Sequence, residues 1–261
     1  MIKYSLKKTA LILLIAILSA KPSFSEEAIK PIKVDWSFKG ITGKFDRSSL
    51  QRGYQVYKEV CSSCHSMQYL SYRNLVEPGG PEFSIEEVKA IAASFEVSDG
   101  PNSEGEMFTR PGRPSDKFVS PYPNVNASIA ANGGAYPPDM SVLVKARTGG
   151  ANYIYSVLMG YEEAPDGFKL DEGVYYNKYM SGNKIKMSKP LSEGIVEYAD
   201  GTLATEDQMA KDVTTFLAWA AEPELEARHK TGLKVLIYLI LLSTLVYLSM
   251  KRIWSRIDSE I

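Results

Sequence analysis

Residues 61–65 read Cys-Ser-Ser-Cys-His. Two cysteines separated by two residues and followed at once by a histidine form the attachment signature of a c-type haem. The gap sets the two sulfurs about one helical turn apart, matching the spacing of the vinyl groups to which the thiols add. His65 is then delivered to the iron as its proximal ligand. A redox dithiol has no use for the trailing histidine. A zinc site needs four protein ligands, or three and a water. The chain has no third cysteine, and its other histidine, His229, lies beside a long apolar run. One covalently attached haem c is the expected cofactor.

Haem attachment consumes both cysteines, so no disulfide is available, and packing and the haem must hold the fold. The chain has 261 residues, room for one or two domains. Residues 1–25 read as a secretory signal peptide: Lys3, Lys7 and Lys8, then an apolar run from Ala10 to Ala20, then Ser23-Phe24-Ser25 as a small-x-small cleavage site. Residues 26–226 form the expected exported haem domain, residues 227–232 a short linker, 233–250 a transmembrane anchor and 251–261 a cytoplasmic tail. Leu233 to Met250 carries Lys234 as its single charge and is about as long as a bilayer core is thick. Lys251, Arg252 and Arg256 follow it, as the positive-inside rule expects, while Arg228 and Lys230 flank the other side. The leader decides the orientation: haem domain in the periplasm, C-terminus in the cytoplasm. Whole-chain charge is −1, but residues 26–226 hold 20 basic and 29 acidic residues. An acidic exported domain suits a basic soluble partner steered by long-range attraction. Nucleic acid is not among the expected partners.

Residues 26–47 look extended. A helix is expected from Ser48, capped by Ser48 or Ser49, with Leu50, Tyr54, Tyr57 and Cys61 at helical spacing and the thiols at its C-terminal end. Tyr54 and Tyr57 are read as core. Residues 77–106 hold eight acids against Lys89 alone, and Ser84 with Glu87 forms a capping box for a helix to about Phe95. As a group these acids are the candidate face for a soluble electron carrier. Residues 107–140 are rich in Pro, Gly and Asn and are expected as a long loop that can wrap a haem edge. Helical periodicity returns over Met140–Met159, interrupted at Gly149-Gly150, with Lys145 and Arg147 among apolar positions. If buried, such an arginine needs an anion, and a haem propionate would serve; otherwise it is a surface cation. Residues 160–204 are again loops. A sixth iron ligand is needed unless the iron is to bind substrate, and methionine suits an electron acceptor. Met187, in the Gly182–Pro190 loop, is the first candidate and Met180 its rival; Met67 is too close to His65 to reach the opposite face. Thr205 to Gln208 reads as a second capping box, opening a helix with Met209, Val213, Phe216, Leu217 and Ala220 on one stripe, ended by Pro223. That helix is expected to pack on the one leading to the thiols.

These parts jointly resemble the cytochrome c1 family, the c-type haem subunits of ubiquinol–cytochrome c reductase (the cytochrome bc1 complex), in its bacterial form. The resemblance runs from about Trp36 to Trp254. It is carried by Gly53–Tyr57 leading into Cys61–Met67, by Asn132 through Pro137-Pro138-Asp139, by Lys145–Gly150, and by Lys211-Asp212-Val213 through Trp219–Glu224. It implies a mainly α fold: a cytochrome c-like helical haem domain with long loop insertions, plus one C-terminal transmembrane helix. It assigns the thioethers to Cys61 and Cys64, the proximal ligand to His65, the distal ligand to Met187 and a propionate contact to Arg147. Tyr153, Asn132 and Pro138 align with pocket residues. The implied partners are cytochrome b, a Rieske iron–sulfur protein and a soluble or membrane-tethered cytochrome c, within a dimeric complex. The implied role is that of an electron-transfer subunit of the reductase, with no substrate chemistry of its own. Some bacterial members brace the methionine loop with an extra disulfide; this chain has no cysteines to spare.

Three rivals make different demands. A membrane-anchored cytochrome c of another respiratory complex would share haem and anchor but not the Trp219–Glu224 segment. A tethered thiol–disulfide oxidoreductase would use Cys61 and Cys64 as free thiols in a βαβ setting. A haem enzyme with an open iron would bind no methionine.

Overall fold

The fold turns on a crossing between two helices far apart in the chain. In the computed structural model, which describes residues 29–257, helix α1 spans Arg47–Glu59 and helix α5 spans Glu206–Ala221. At the crossing stands Gly53, where a Cβ would lie 2.1 Å from the Asp212 carbonyl oxygen and 2.7 Å from Phe216 Cβ. Only glycine lets the two backbones approach this closely. Beside it Arg52 reaches across to Asp212, Nε to Oδ2 at 2.8 Å, and also to Asp200 at 2.8 Å. Asp212 is fully buried, so the guanidinium compensates a charge that would otherwise be costly. Leu50, Val56, Met209, Phe216, Leu217 and Trp219 fill the surrounding core. Complete burial of Phe216 alone is worth ~1.5–3 kcal/mol. Tyr54 and Tyr57 are buried, as expected, and their rings pack on Phe216 and Phe118.

Capping sets the helix boundaries. Asp46, not Ser48 or Ser49, caps α1: its carboxylate accepts from the Ser48 amide at 3.0 Å, so the helix begins one residue earlier than expected. A carboxylate at that end also suits the helix dipole. Thr205 Oγ1 caps α5 by accepting from the Gln208 amide at 3.1 Å. The Gln208 side chain does not return to Thr205 but donates to Asp212, so the box closes on one side only. The Ser84–Glu87 box is complete, and its helix, α2, spans Ile85–Ala93. It stops short of Phe95 because strand β1, Glu96–Asp99, turns back to pair antiparallel with β2, Phe108–Pro111.

Between these elements the chain is largely loop. A short helix α3, Val125–Ala131, is capped by the Asn124 side chain inside the expected loop. Of the 140–159 stretch only Ala151–Met159 is helical (α4); before it the chain runs in turns. Gly149 at φ 91° and Gly150 at φ 55° stop any continuous helix there. A two-residue hairpin, β3 Tyr175–Tyr176 with β4 Lys184–Ile185, shapes the segment before Met187. Among the described residues there are six α-helices and two small antiparallel sheets, a mainly α fold as expected.

The last helix, α6, runs unbroken over Leu225–Ile257. It is long and apolar enough to cross a membrane, with mean hydropathy 2.1 over its most apolar window and none of that window buried. Residues 227–232, expected as a linker, are its first turns, since nothing after Pro223 breaks the helix. Its start is fastened to the start of α1. Glu226 accepts from Arg47 at 2.8 Å and from the Phe45 amide at 3.0 Å. The expected signal peptide lies outside the described residues.

Gly53→Ala would place a methyl group against the α5 backbone. Overpacking of this kind costs ~1–3 kcal/mol, and each kcal/mol lowers the melting midpoint of a domain this size by about 2–4 °C. A thermal melt of the variant is expected to show that loss; an unchanged midpoint would mean that the helices separate freely.

Candidate haem-binding site

Helix α1 delivers the motif. It ends with the Val60 amide donating to the Val56 carbonyl, and Cys61–Ser63 continue as a 3-10 turn. The thiols therefore sit just past the helix rather than on its last turn. The amides of Cys64 and His65 both donate to the Cys61 carbonyl, at 3.2 and 2.9 Å, folding the five residues over one another. The two intervening serines take up carbonyls left over at the helix end: Ser62 Oγ donates to Lys58 at 2.7 Å and Ser63 Oγ to Val60 at 2.8 Å. Both thiols are free and half-buried. Burial, reinforced by the neighbouring Cys64, pushes the Cys61 thiol up to about 12.

His65 is 8% exposed, and its Nδ1 lies 2.8 Å from the Pro138 carbonyl oxygen. A carbonyl only accepts, so Nδ1 carries the proton and Nε2 keeps its lone pair. Burial lowers the pKa of the ring, opposed in part by the Pro138 carbonyl and by Asp139. The result is a neutral imidazole with its ring plane set and one nitrogen free to ligate. Asp139, next to Pro138, accepts from Ser66 Oγ at 2.8 Å, from the Gln68 amide at 2.9 Å and from the Ser141 amide at 2.8 Å. Burial raises its pKa, but these hydrogen bonds outweigh burial and hold it below the usual carboxylate value. The Met140 amide donates to the Ser66 carbonyl at 2.8 Å, and the Tyr69 amide to Ser141 Oγ at 3.1 Å. The two segments on either side of the His65–Pro138 contact are thus laced together. Beside Cys64 a cleft opens between the Pro121–Val125 loop and Tyr136-Pro137.

The remaining expected site residues are placed differently. Asn132 ends α3, and its side chain donates to the Ser128 carbonyl at 2.7 Å. Tyr153, on α4, donates through its hydroxyl to Met180 Sδ at 3.2 Å, so the sulfur of the rival methionine is engaged. Arg147 is exposed; its recorded contact is with the neighbouring Ala146 carbonyl at 3.3 Å, and among the described residues it forms no ion pair. Lys145 pairs with Glu222 at 3.0 Å.

The loop of Met187 has no disulfide, yet it is tied at successive positions. Lys186 Nζ donates to the Gly133 carbonyl at 2.9 Å, Tyr161 Oη to the Met187 carbonyl at 3.0 Å, and Lys189 pairs with Glu206 at 2.7 Å. Three elements thereby hold the segment. Tyr161, Lys186 and Asp139 carry no motif-level signal of their role, since their partners are 26, 53 and 71–73 residues away. Among the described residues no group of three or more His, Cys, Asp or Glu is gathered to hold a metal by itself. The donor set fits a haem: two free thiols and one imidazole with an orienting acceptor.

The sequence model of the Cytochrome C1 family matches residues 36–257. The chain is 49% identical over 238 residues to a mitochondrial cytochrome c1-2 haem protein of Solanum tuberosum, covering 90% of each chain. It is 46% identical over 246 residues to cytochrome c1 of Rhodospirillum rubrum, covering 88% and 89%. It is also 49% identical over 250 residues to the cytochrome b/c1 of Bradyrhizobium diazoefficiens, covering 88% of this chain but spanning only 36% of that longer protein.

Tyr161→Phe removes one hydrogen bond to the 186–189 loop and keeps the ring. At ~0.5–1.5 kcal/mol for such a bond, local opening should rise roughly 2- to 10-fold. Amide hydrogen exchange over residues 186–189 reads this directly, and unchanged protection would show that the hydroxyl does not hold the loop.

Proposed function

The chain belongs to the cytochrome c1 family, and on that premise we propose that it is the electron-carrying haem subunit of a ubiquinol–cytochrome c reductase. In this reading it accepts single electrons from a Rieske iron–sulfur protein and passes them to a cytochrome c, soluble or tethered. Cytochrome b is its partner in the membrane, within a dimeric bc1 complex. The observation that carries the reading is the folded Cys61–His65 turn, with His65 Nδ1 committed to the Pro138 carbonyl.

Cys61 and Cys64 would hold the haem through thioethers, and His65 Nε2 would ligate its iron. When bound, haem c supplies reversible exchange of one electron. Pro138 fixes the tautomer and orientation of His65. Met187 would be the second iron ligand: its loop is held from three sides, whereas the Met180 sulfur already accepts from Tyr153. Among the described residues Arg147 pairs with no carboxylate, and it would serve a propionate. Asn132 and Tyr153 line the pocket with Pro138. This chain makes and breaks no substrate bond; quinol oxidation belongs to its partners.

Residues 1–25 direct export, the haem domain lies in the periplasm, and α6 anchors it with Lys251 and Arg252 on the cytoplasmic side. Of the eight acids in 77–106, several serve the chain itself. Glu82 pairs with Arg47, Glu87 caps α2, Asp99 pairs with Arg110, and Glu77 accepts from Asn74. Glu86, Glu96, Glu104 and Glu106 are exposed, and among the described residues they form no ion pair. These four are the negative surface offered to a basic cytochrome c. The alternative of another respiratory complex is not favoured, because the family resemblance includes the Trp219–Glu224 segment as well as the haem motif.

A reduced-minus-oxidised spectrum of the detergent-extracted protein tests the reading. Chromophore is expected to stay with the polypeptide through acid–acetone extraction. Met187→Leu is expected to abolish the methionine–iron charge-transfer band and lower the midpoint potential, whereas Met180→Leu leaves the band. Loss of all colour on extraction would end the haem reading, and a band surviving in Met187→Leu would move the ligand elsewhere. Charge reversal at Glu86 and Glu96 to Lys is expected to slow reduction of a basic cytochrome c by roughly tenfold at low ionic strength and to flatten its salt dependence. Equal rates would remove this face from docking.

A further inference from the structure

We propose that Asp139 is a positioning residue for the proximal ligand, and that it sets the reduction potential through the His65–Pro138 hydrogen bond. The inference rests on the haem reading above. Among the described residues Asp139 makes no hydrogen bond to the thiols or the imidazole. It stands between the segment that carries His65 and the segment that carries its acceptor. One carboxylate oxygen, Oδ2, accepts from Ser66 Oγ at 2.8 Å and from the Gln68 amide at 2.9 Å, both on the His65 side. The other, Oδ1, accepts from the Ser141 amide at 2.8 Å, on the Pro138 side. The same two segments are joined by the Met140 amide to the Ser66 carbonyl, and by His65 itself to Pro138, each at 2.8 Å.

The geometry has a specific consequence. Pro138 has no amide proton, so the backbone at that position cannot be anchored by donating a hydrogen bond of its own. Its carbonyl is held at His65 by what its neighbours do, and the immediate neighbour is Asp139. A carboxylate suits the task because it accepts several hydrogen bonds at once and donates none. A firmly held acceptor strengthens the pull on the Nδ1 proton. That makes Nε2 a better electron donor, which favours the oxidised state of a bound metal. Loosening the clamp weakens that pull and removes a negative charge beside the site. Both changes favour the reduced state.

The experiment uses the full chain in detergent, with three readouts: covalent haem after acid–acetone extraction, midpoint by equilibrium redox titration, and exchange of the His65 Nδ1 proton by NMR in the reduced state. Asp139→Asn is expected to retain covalent haem. Its midpoint should rise by at least a tenfold change in equilibrium constant, about 59 mV for one electron, and the ring proton should exchange at least tenfold faster. Ser66→Ala removes one donor to the clamp without altering charge, so it should move midpoint and exchange in the same direction by a smaller factor. Asp139→Glu, which keeps the charge and acceptors, should recover part of the wild-type exchange rate. Wild-type midpoint and ring exchange in a haem-loaded Asp139→Asn would overturn the proposal. So would a shift in Asp139→Asn with no effect at Ser66→Ala, which would reduce the effect to charge alone. If Asp139→Asn fails to accumulate, Ser66→Ala decides by the same two readouts. Absence of covalent haem from the wild-type chain would instead refute the haem reading, a distinct result.

Discussion

The close approach of α1 and α5 at Gly53 is the constraint on which the rest depends. Without a Cβ at that position the Asp212 carbonyl and Phe216 come within contact of the α1 backbone, and the aromatic core closes around them. Arg52 then lies where it can compensate the fully buried Asp212. Breaking one partner of such a pair strands the other, which is why a buried ion pair enforces a particular arrangement even where it adds little net stability. Since α1 runs directly into the Cys61–His65 turn, the register of this crossing sets the place of the haem-binding residues. The Arg47–Glu226 pair extends the same frame to the start of the membrane helix. The anchor therefore leaves the domain as a continuation of its packing, with helix rather than flexible linker at residues 227–232.

Around that frame the His65 segment and the Met187 loop are held by different means. A compact set of hydrogen bonds joins residues 65–69 to residues 138–141, and His65 is one member of the set. The Met187 loop donates a hydrogen bond through Lys186 to the Gly133 carbonyl, receives one from Tyr161 and forms an ion pair through Lys189. Each such bond contributes only ~0.5–1.5 kcal/mol, so both segments are held by the sum of several weak contacts.

Charge is divided between structure and recognition. Arg47, Arg52 and Arg110 each bind two carboxylates and thereby remove six acids from the surface available to partners. The Arg110 pairs hold Asp116 down at about 2, first through the guanidinium hydrogen bond, so that carboxylate stays charged for its structural task. What is left exposed on the 77–106 segment is fewer charges than its composition suggests, and among the described residues these form no ion pair.

Features decided within a few residues were legible in the chain alone. The Cys61–His65 motif, the Ser84–Glu87 box, the stripe of α5 and the apolar length of α6 all rest on local spacing, and each has its counterpart in the structure. Boundaries were less so. The cap at Asp46 and the half-closed Thr205 box depend on where a side chain finds its nearest partner, and Gln208 found Asp212. The β1–β2 hairpin and α3 were hidden because short elements carry little periodicity. The glycine at 53 was visible as a residue, but its purpose appears only with α5 laid against it. The same holds for Pro138 and Asp139, whose partners are more than seventy residues away. The sequence by itself determined which chemistry the chain can hold, since a covalent motif needs only its own five residues. Tertiary structure alone decided how that chemistry is oriented, since the acceptor that sets the His65 tautomer is brought to it only when distant segments pack.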